Sequence, residues 1–296
     1  MVNLLIPEVT KHEVFVADLF AANWWGIEGH HFAKHAIESA LWDIHAKRQG
    51  ESLASVLGGV TDVVEVGAVV GMHDTVDAVV AEVMQRVSEG YARIKIKIAP
   101  GHDSDVLAAV RDAVGIEYAL QADANGAYSA SDIDLLCSFD SFALQFIEQP
   151  FAAHDLDSHR QLSQRCATSV CLDESVMTTA QLLTALDLGA CDVVNIKPSR
   201  VGGIREAIAM HDVLVERGVD AWVGGMLETG IGRASCLALA SMPGFTLTPD
   251  LSASSRYFQR DVTTPFVLDD GCLHVPQGTG IGVEPLAEVL AEENVV

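Results

Sequence analysis

Positive charge is scarce in this chain: 18 lysines and arginines stand against 41 aspartates and glutamates among 296 residues, a formal net charge of −23. Such a surface repels phosphate backbones and anionic lipid, so nucleic-acid and membrane-surface roles are set aside. Long apolar runs are also missing. No stretch approaches the roughly eighteen uninterrupted apolar residues that a membrane helix needs. The amino-terminal MVNLLIPEVTKHEVF lacks the basic and apolar regions of a signal peptide. The six cysteines (Cys137, Cys166, Cys171, Cys191, Cys236, Cys272) are scattered singly, with no C-x-x-C. That spacing argues against a disulfide framework or a thiolate zinc site and fits a reducing cytoplasm best. What is present is a chain 49% hydrophobic and 20% charged, the profile of a well-buried globular protein of one large domain or two modest ones.

Periodicity carries the fold. Short β-branched or apolar runs alternate with segments of helical period from about residue 63 onward. The runs are VVEVGAVVG (63–71), YARIKIKI (91–98), EYALQAD (117–123), FALQFIE (142–148), TSVCLD (168–173), CDVVNI (191–196) and VDAWVGG (219–225), with GFTLTPD (244–250) as an eighth. Gly90, Gly115, Gly189 and Gly218 stand where the intervening helices should stop. Repeated βα units imply a parallel sheet with crossover helices, either doubly wound or closed into a barrel. Ionisable residues decide for the barrel. Lys97, Asp123, Glu148, Asp173 and Lys197 stand at the carboxyl ends of successive strands, spaced by 26, 25, 25 and 24 residues. A (β/α)8 barrel gathers such positions on one rim, whereas an open sheet spreads them along a line. The expected fold is therefore α/β, a (β/α) barrel over residues 61–250. It is flanked by a helical segment, 1–60, and a carboxyl-terminal segment, 251–296, which are expected to pack together as a small second layer near the barrel.

Three carboxylates on neighbouring strand ends repel one another unless a cation joins them. An oxygen-only set without thiolate or imidazole suits Mg²⁺ best and Mn²⁺ next. The simpler alternative is that each carboxylate caps the helix after it, but caps need no strand-by-strand repetition. Lys95 and Lys97, two apart, point together toward the barrel interior. Beside a second ammonium and a divalent cation, Lys97 should have its pKa pushed down into the range of a base. Lys197 stands across the rim. The alternative for both is simple ion pairing with the acids. A metal between two lysines suits removal of a proton α to a carboxylate.

RIKIKIAPG, LQADANGAY, FIEQP, CLDES, NIKPSRVGG and GGMLETGIGRA, in that order, resemble the enolase superfamily. More narrowly they resemble its muconate-lactonising subgroup, and within it o-succinylbenzoate synthases and N-acylamino acid racemases. The likeness runs from about residue 30 to 290. It implies a barrel of modified TIM type with an α+β capping domain, of which residues 1–60 and 251–296 form the parts present. On this likeness the chain begins after the capping strands. The likeness also implies that Asp123, Glu148 and Asp173 bind Mg²⁺ and that Lys97 and Lys197 are the acid/base pair. Lys95, Asn125 and Glu174 would support the substrate carboxylate and the metal, and Gly224, Gly225 and Met226 would line the far end of the pocket. The implied activity is Mg²⁺-dependent synthesis of o-succinylbenzoate by dehydration, in menaquinone biosynthesis. The rival activity is racemisation of N-acylamino acids, and a non-catalytic scaffold is the alternative of another class. The substrate would be a small carboxylate.

Other signals are read as structural. His31 and His35 have the spacing of a metal pair but no third ligand, so packing is expected. Trp24, Trp25 and Trp42 are expected as core anchors or as apolar cover favouring a homo-oligomer. The glycine-rich SRVGG and GGMLETGIG match no phosphate-binding pattern. Asp43 and His45 are expected in surface or interdomain polar contacts.

Overall fold

The apolar runs become strands because each is short, β-branched and bounded by residues that stop it. The computed structural model describes residues 5–10 and 27–292. Seven of its strands form one parallel sheet in chain order: β2 (Gly67–Val70), β3 (Arg93–Lys97), β4 (Ala119–Asp123), β5 (Phe146–Glu148), β6 (Ser169–Leu172), β7 (Val193–Ile196) and β8 (Asp220–Val223). Every step is a parallel neighbour with a helical crossover, which keeps both faces buried. On β3 the outward Ile94 and Ile96 are wholly buried beneath the helices, while Arg93, Lys95 and Lys97 point inward. The helices supply the other half of this layer. Val79 and Val83, one turn apart on Val76–Ser88, are fully buried, each worth about 1.5–3 kcal/mol. Thr75 and Thr178 cap their helices by accepting from Ala78 N and Gln181 N, both at 3.2 Å. Gly189 and Gly218 end theirs in the left-handed conformation, at φ 66° each.

Two strand expectations need correction. GFTLTPD forms no regular strand; it closes the barrel as an irregular segment. Thr246 N and Leu247 N both donate to Ala221 O, Asp250 N donates to Val223 O, and Gly67 N donates to Pro249 O. Pro249 has no N–H to offer, so a continuous ladder cannot form there. VVEVGAVVG is two strands, not one. β1 (Val63–Glu65) leaves the barrel to pair antiparallel with β9 (Cys272–His274), and only β2 enters the barrel sheet.

The flanking segments pack together. The helix His31–Gln49 meets the carboxyl-terminal segment through Asp43, whose carboxylate accepts from Ile281 N at 2.8 Å, and Leu53 N donates to Gly280 O. Asp43 is thus the polar contact expected between the flanks. His35 is buried on this helix, and Trp42 donates to Glu38. Trp24 and Trp25 lie outside the described residues. No described helix is long and apolar enough to cross a membrane.

The expectation against disulfides is corrected at one pair. Cys137 and Cys166 are joined in a disulfide, with Cα atoms 4.9 Å apart. They are 29 residues apart in sequence, about one βα repeat, and so fall on adjacent crossovers: Cys137 in the helix Ile133–Ser138, Cys166 at the end of Leu156–Arg165. Cys171, Cys191, Cys236 and Cys272 are free.

Candidate active site

The carboxyl ends of the strands surround a cavity of about 400 Å³. Lys95, Lys97, Asp123, Asn125 and Lys197 line it, with Gly225 and Met226 on the β8 side. Strand register produces this convergence. Lys97 pairs with Asp123 across β3 and β4, and Asp123 with Glu148 across β4 and β5, so the rim residues stand level. Lys97 and Lys197 end strands four positions apart, which in a closed ring of eight positions places them on opposite sides of the opening.

Beneath the rim the charges interlock. Asp123, Glu148 and Asp173 are at most 1% exposed. Lys95 Nζ lies 2.7 Å from Glu148, 3.3 Å from Asp123 and 2.5 Å from Asp250. Lys97 Nζ donates to Asp123 at 2.6 Å and to Asn125 Oδ1 at 2.5 Å. Lys197 Nζ donates to Asp173 at 2.6 Å, and Asn195 Nδ2 donates to Glu148 at 2.7 Å. Glu174 sits behind Asn125, accepting from its amide at 3.0 Å, and pairs with Arg200 at 3.3 Å. Gln149 fixes the end of β6: its side-chain oxygen accepts from Asp173 N at 3.0 Å and Ser175 N at 3.2 Å. Gly224 is required where it stands, because a Cβ there would lie 2.1 Å from Asn195 Oδ1 and 2.6 Å from Lys197 Cε.

These environments move the pKa values in different directions. Desolvation and the neighbouring Asp123 charge push Glu148 up to about 7. Burial opposes ionisation of Asp123, but Lys95 and Lys97 outweigh it and lower its pKa. Burial likewise opposes charge on Lys197, yet Asp173 and Glu148 win and its pKa is raised. In this structure Lys97 pairs with Asp123 and Lys197 with Asp173, each at 2.6 Å.

Residues that sequence reasoning missed complete the cluster. Asp250, 6% exposed, pairs with Arg93 and Lys95 at 2.5 Å each. It ends the closing segment as Asp123 ends β4, a position that could have revealed it. Arg200 reaches Asp173 at 3.1 Å. Arg256 and Tyr257 add a polar wall from the carboxyl-terminal segment.

The residues fit a hard cation by their chemistry. Three buried carboxylates stand at the ends of adjacent strands, all donors are oxygen, and the buried Asp173 Oδ1 has an ion pair with Arg200 at 3.1 Å but accepts no hydrogen bond. As the side chains stand, no three acidic, histidine or cysteine groups among the described residues are gathered closely enough to hold an ion. Lys95, Lys97 and Lys197 pair with Glu148, Asp123 and Asp173.

Comparison with known proteins settles the family. Residues 78–289 match the model described as enolase C-terminal domain-like, and residues 2–58 match the mandelate racemase / muconate lactonizing enzyme N-terminal domain. This chain belongs to the enolase superfamily. Members of the enolase superfamily generally use Mg²⁺ and act on small carboxylate substrates. The chain is 44% identical over 290 residues to an N-succinylamino acid racemase from Amycolatopsis sp., covering 98% of this chain and 79% of that protein. It is 45% identical over 264 residues to an o-succinylbenzoate synthase from Bacillus subtilis, covering 89% and 71%. A solved enolase-superfamily structure from Listeria innocua superposes with a TM-score of 0.94 at 36% identity, covering 98% of this chain and 78% of that one.

Proposed function

We propose that this enolase-superfamily chain makes o-succinylbenzoate by dehydration, beginning with removal of a proton α to a carboxylate. One observation carries the reading. Lys97 and Lys197 face one cavity from opposite sides, and the strands between them end in Asp123, Glu148 and Asp173. Those three carboxylates would hold Mg²⁺, which when bound supplies positive charge to stabilise the enediolate. Committing the carboxylates in this way would withdraw the ion-pair partners Asp123 from Lys97 and Asp173 from Lys197.

Lys97, as the neutral amine, takes the α-proton, and the C–H electron pair moves into the substrate carboxylate. Its ammonium then returns that proton to the departing hydroxyl on the same face, water leaves, and Lys97 is neutral again. Lys197 remains an ammonium and stabilises the negative charge. Arg200, paired with Asp173 and Glu174, adds charge behind Lys197.

The 44% identity to an N-succinylamino acid racemase across 98% of this chain favours a second reading. There the lysines exchange roles, one removing the proton and the other delivering one to the opposite face. Lys97→Ala should abolish dehydration, and chelation should stop turnover. Lys197→Arg keeps the charge but not the base; it should retain part of the dehydration rate yet lose α-proton exchange from one enantiomer. Full dehydration by Lys97→Ala, or after exhaustive chelation, would overturn the assignment.

A further inference from the structure

Lys197 is held from behind by a part of the chain far removed in sequence. It stands at the start of the short helix Pro198–Val201, where Arg200 N and Val201 N both donate to its carbonyl. Gly202 N and Gly203 N donate back to Pro198 O, closing a tight turn that leads directly into the helix Ile204–Arg217. That helix begins at Gly203, which has no side chain to cap it. The cap comes instead from Glu38, on the helix His31–Gln49: its Oε1 accepts from Arg205 N at 2.8 Å across 167 residues of sequence. Trp42 Nε1 donates to the same oxygen at 3.1 Å and fixes the carboxylate's rotamer.

The fit leaves no slack. A Cβ on Gly203 would lie 1.6 Å from Glu38 Oε2. A Cβ on Gly202, at φ 97°, would lie 2.9 Å from His31 Nδ1. The two glycines thus admit His31 and Glu38, two turns apart on one helix face, against the turn that carries Lys197. Glu38 is 4% exposed. On its other side, Lys197 is gripped by Asp173 and by the close approach of Gly224. Lys97 differs in being itself part of the sheet, paired with Asp123, whereas Lys197 lies one residue beyond the last paired residue of β7, Ile196.

We propose that Glu38 is a positioning residue for Lys197: by capping the helix Ile204–Arg217 it sets the register of the turn Lys197–Gly203, and so places the second lysine but not the first. The proposal rests on the second reading given above, in which Lys197 exchanges a proton with one enantiomer. Glu38→Gln retains an acceptor of the same length, and Glu38→Ala removes it. Two measurements test the pair. One is solvent-deuterium exchange from each enantiomer of an N-succinylamino acid with Mg²⁺, each enantiomer being assigned to its lysine with Lys97→Ala and Lys197→Ala. The other is amide hydrogen exchange of residues 197–205 in the protein without metal or substrate.

Glu38→Ala should slow the exchange that depends on Lys197 by about 10–100-fold, the scale of a catalytic group displaced by about an ångström. Exchange through Lys97 should change little, the amides of 197–205 should lose protection, and Glu38→Gln should restore both readouts. Equal loss through both lysines, or unchanged protection, overturns the proposal. If Glu38→Ala fails to fold, Glu38→Asp, one methylene too short to reach Arg205 N, takes its place with the same expected outcomes. Should the wild type exchange neither enantiomer, the racemase reading fails and the dehydration reading stands or falls on its own tests. The amide measurement then decides the link between Glu38 and the turn: unchanged protection overturns it.

Discussion

Replacing Asp250 by Asn tests whether the barrel interior is held by charge. Asp250 is the anion between Arg93, which is wholly buried, and Lys95, which is 2% exposed. Burial alone would raise its pKa, but Arg93 and Lys95 outweigh that and hold it well below the usual carboxylate range. Asparagine keeps the volume and loses the charge. Lys95 still has Glu148 and Asp123 as anions, whereas Arg93 keeps only neutral acceptors, the asparagine amide oxygen and Thr248 O. Leaving a buried charge without its counter-ion costs about 3–5 kcal/mol. At about 2 °C per kcal/mol for a chain of this size, the melting temperature should fall by at least about 6 °C. Urea unfolding in metal-free buffer reads the loss directly. Arg93→Met with Asp250→Leu removes both charges, and should be more stable than Asp250→Asn by about 2 kcal/mol or more. A loss below about 1 kcal/mol for Asp250→Asn, the range of exposed ion pairs, would refute the reasoning.

Burial of His35 pushes its pKa down to about 4 from 6.5, so between those values the unfolded chain binds a proton that the folded one refuses. Stability should fall as pH drops from 6.5 to about 4 by on the order of 3 kcal/mol from this group. His35→Gln should flatten that slope in pH-dependent urea unfolding, and an unaltered slope would count against it. The Cys137–Cys166 bond closes a loop of 29 residues, and removing it with Cys137→Ala and Cys166→Ala should cost about 3–4 kcal/mol. Alkylation in denaturant without reductant should label four cysteines; labelling of all six would exclude the bond.

The rim was legible because strand ends repeat. Lys97, Asp123, Glu148, Asp173 and Lys197 each follow a recognisable apolar run, and one βα unit of spacing is enough to predict that they meet. Asp250 escaped notice because its segment has the composition of a strand but, interrupted by Pro249, pairs irregularly. Glu38 was illegible for a different reason. Its role depends on a contact spanning 167 residues, and a glutamate within a helix carries no local mark of capping a distant one. The cysteine pair could have been found by the βα-repeat spacing that located the carboxylates, but scattered thiols were judged by motif alone.

The inward face of β3 bears Arg93, Lys95 and Lys97 in succession, and their anions come from β4, β5 and the closing segment. Arg93 and Asp250 are separated by 157 residues. This arrangement governs how the barrel can assemble. An apolar interior gains something from each strand added, so a partial barrel can linger as a collapsed intermediate. Here a partial barrel would either leave cations stranded in a dry interior or keep that interior wet until residue 250 arrives. Three strands can associate, but the charged interior cannot dry out until the chain has come full circle. The ionic ladder therefore acts as a checkpoint, tying desolvation of the active-site floor to completion of the ring and making the half-built barrel an unprofitable resting place.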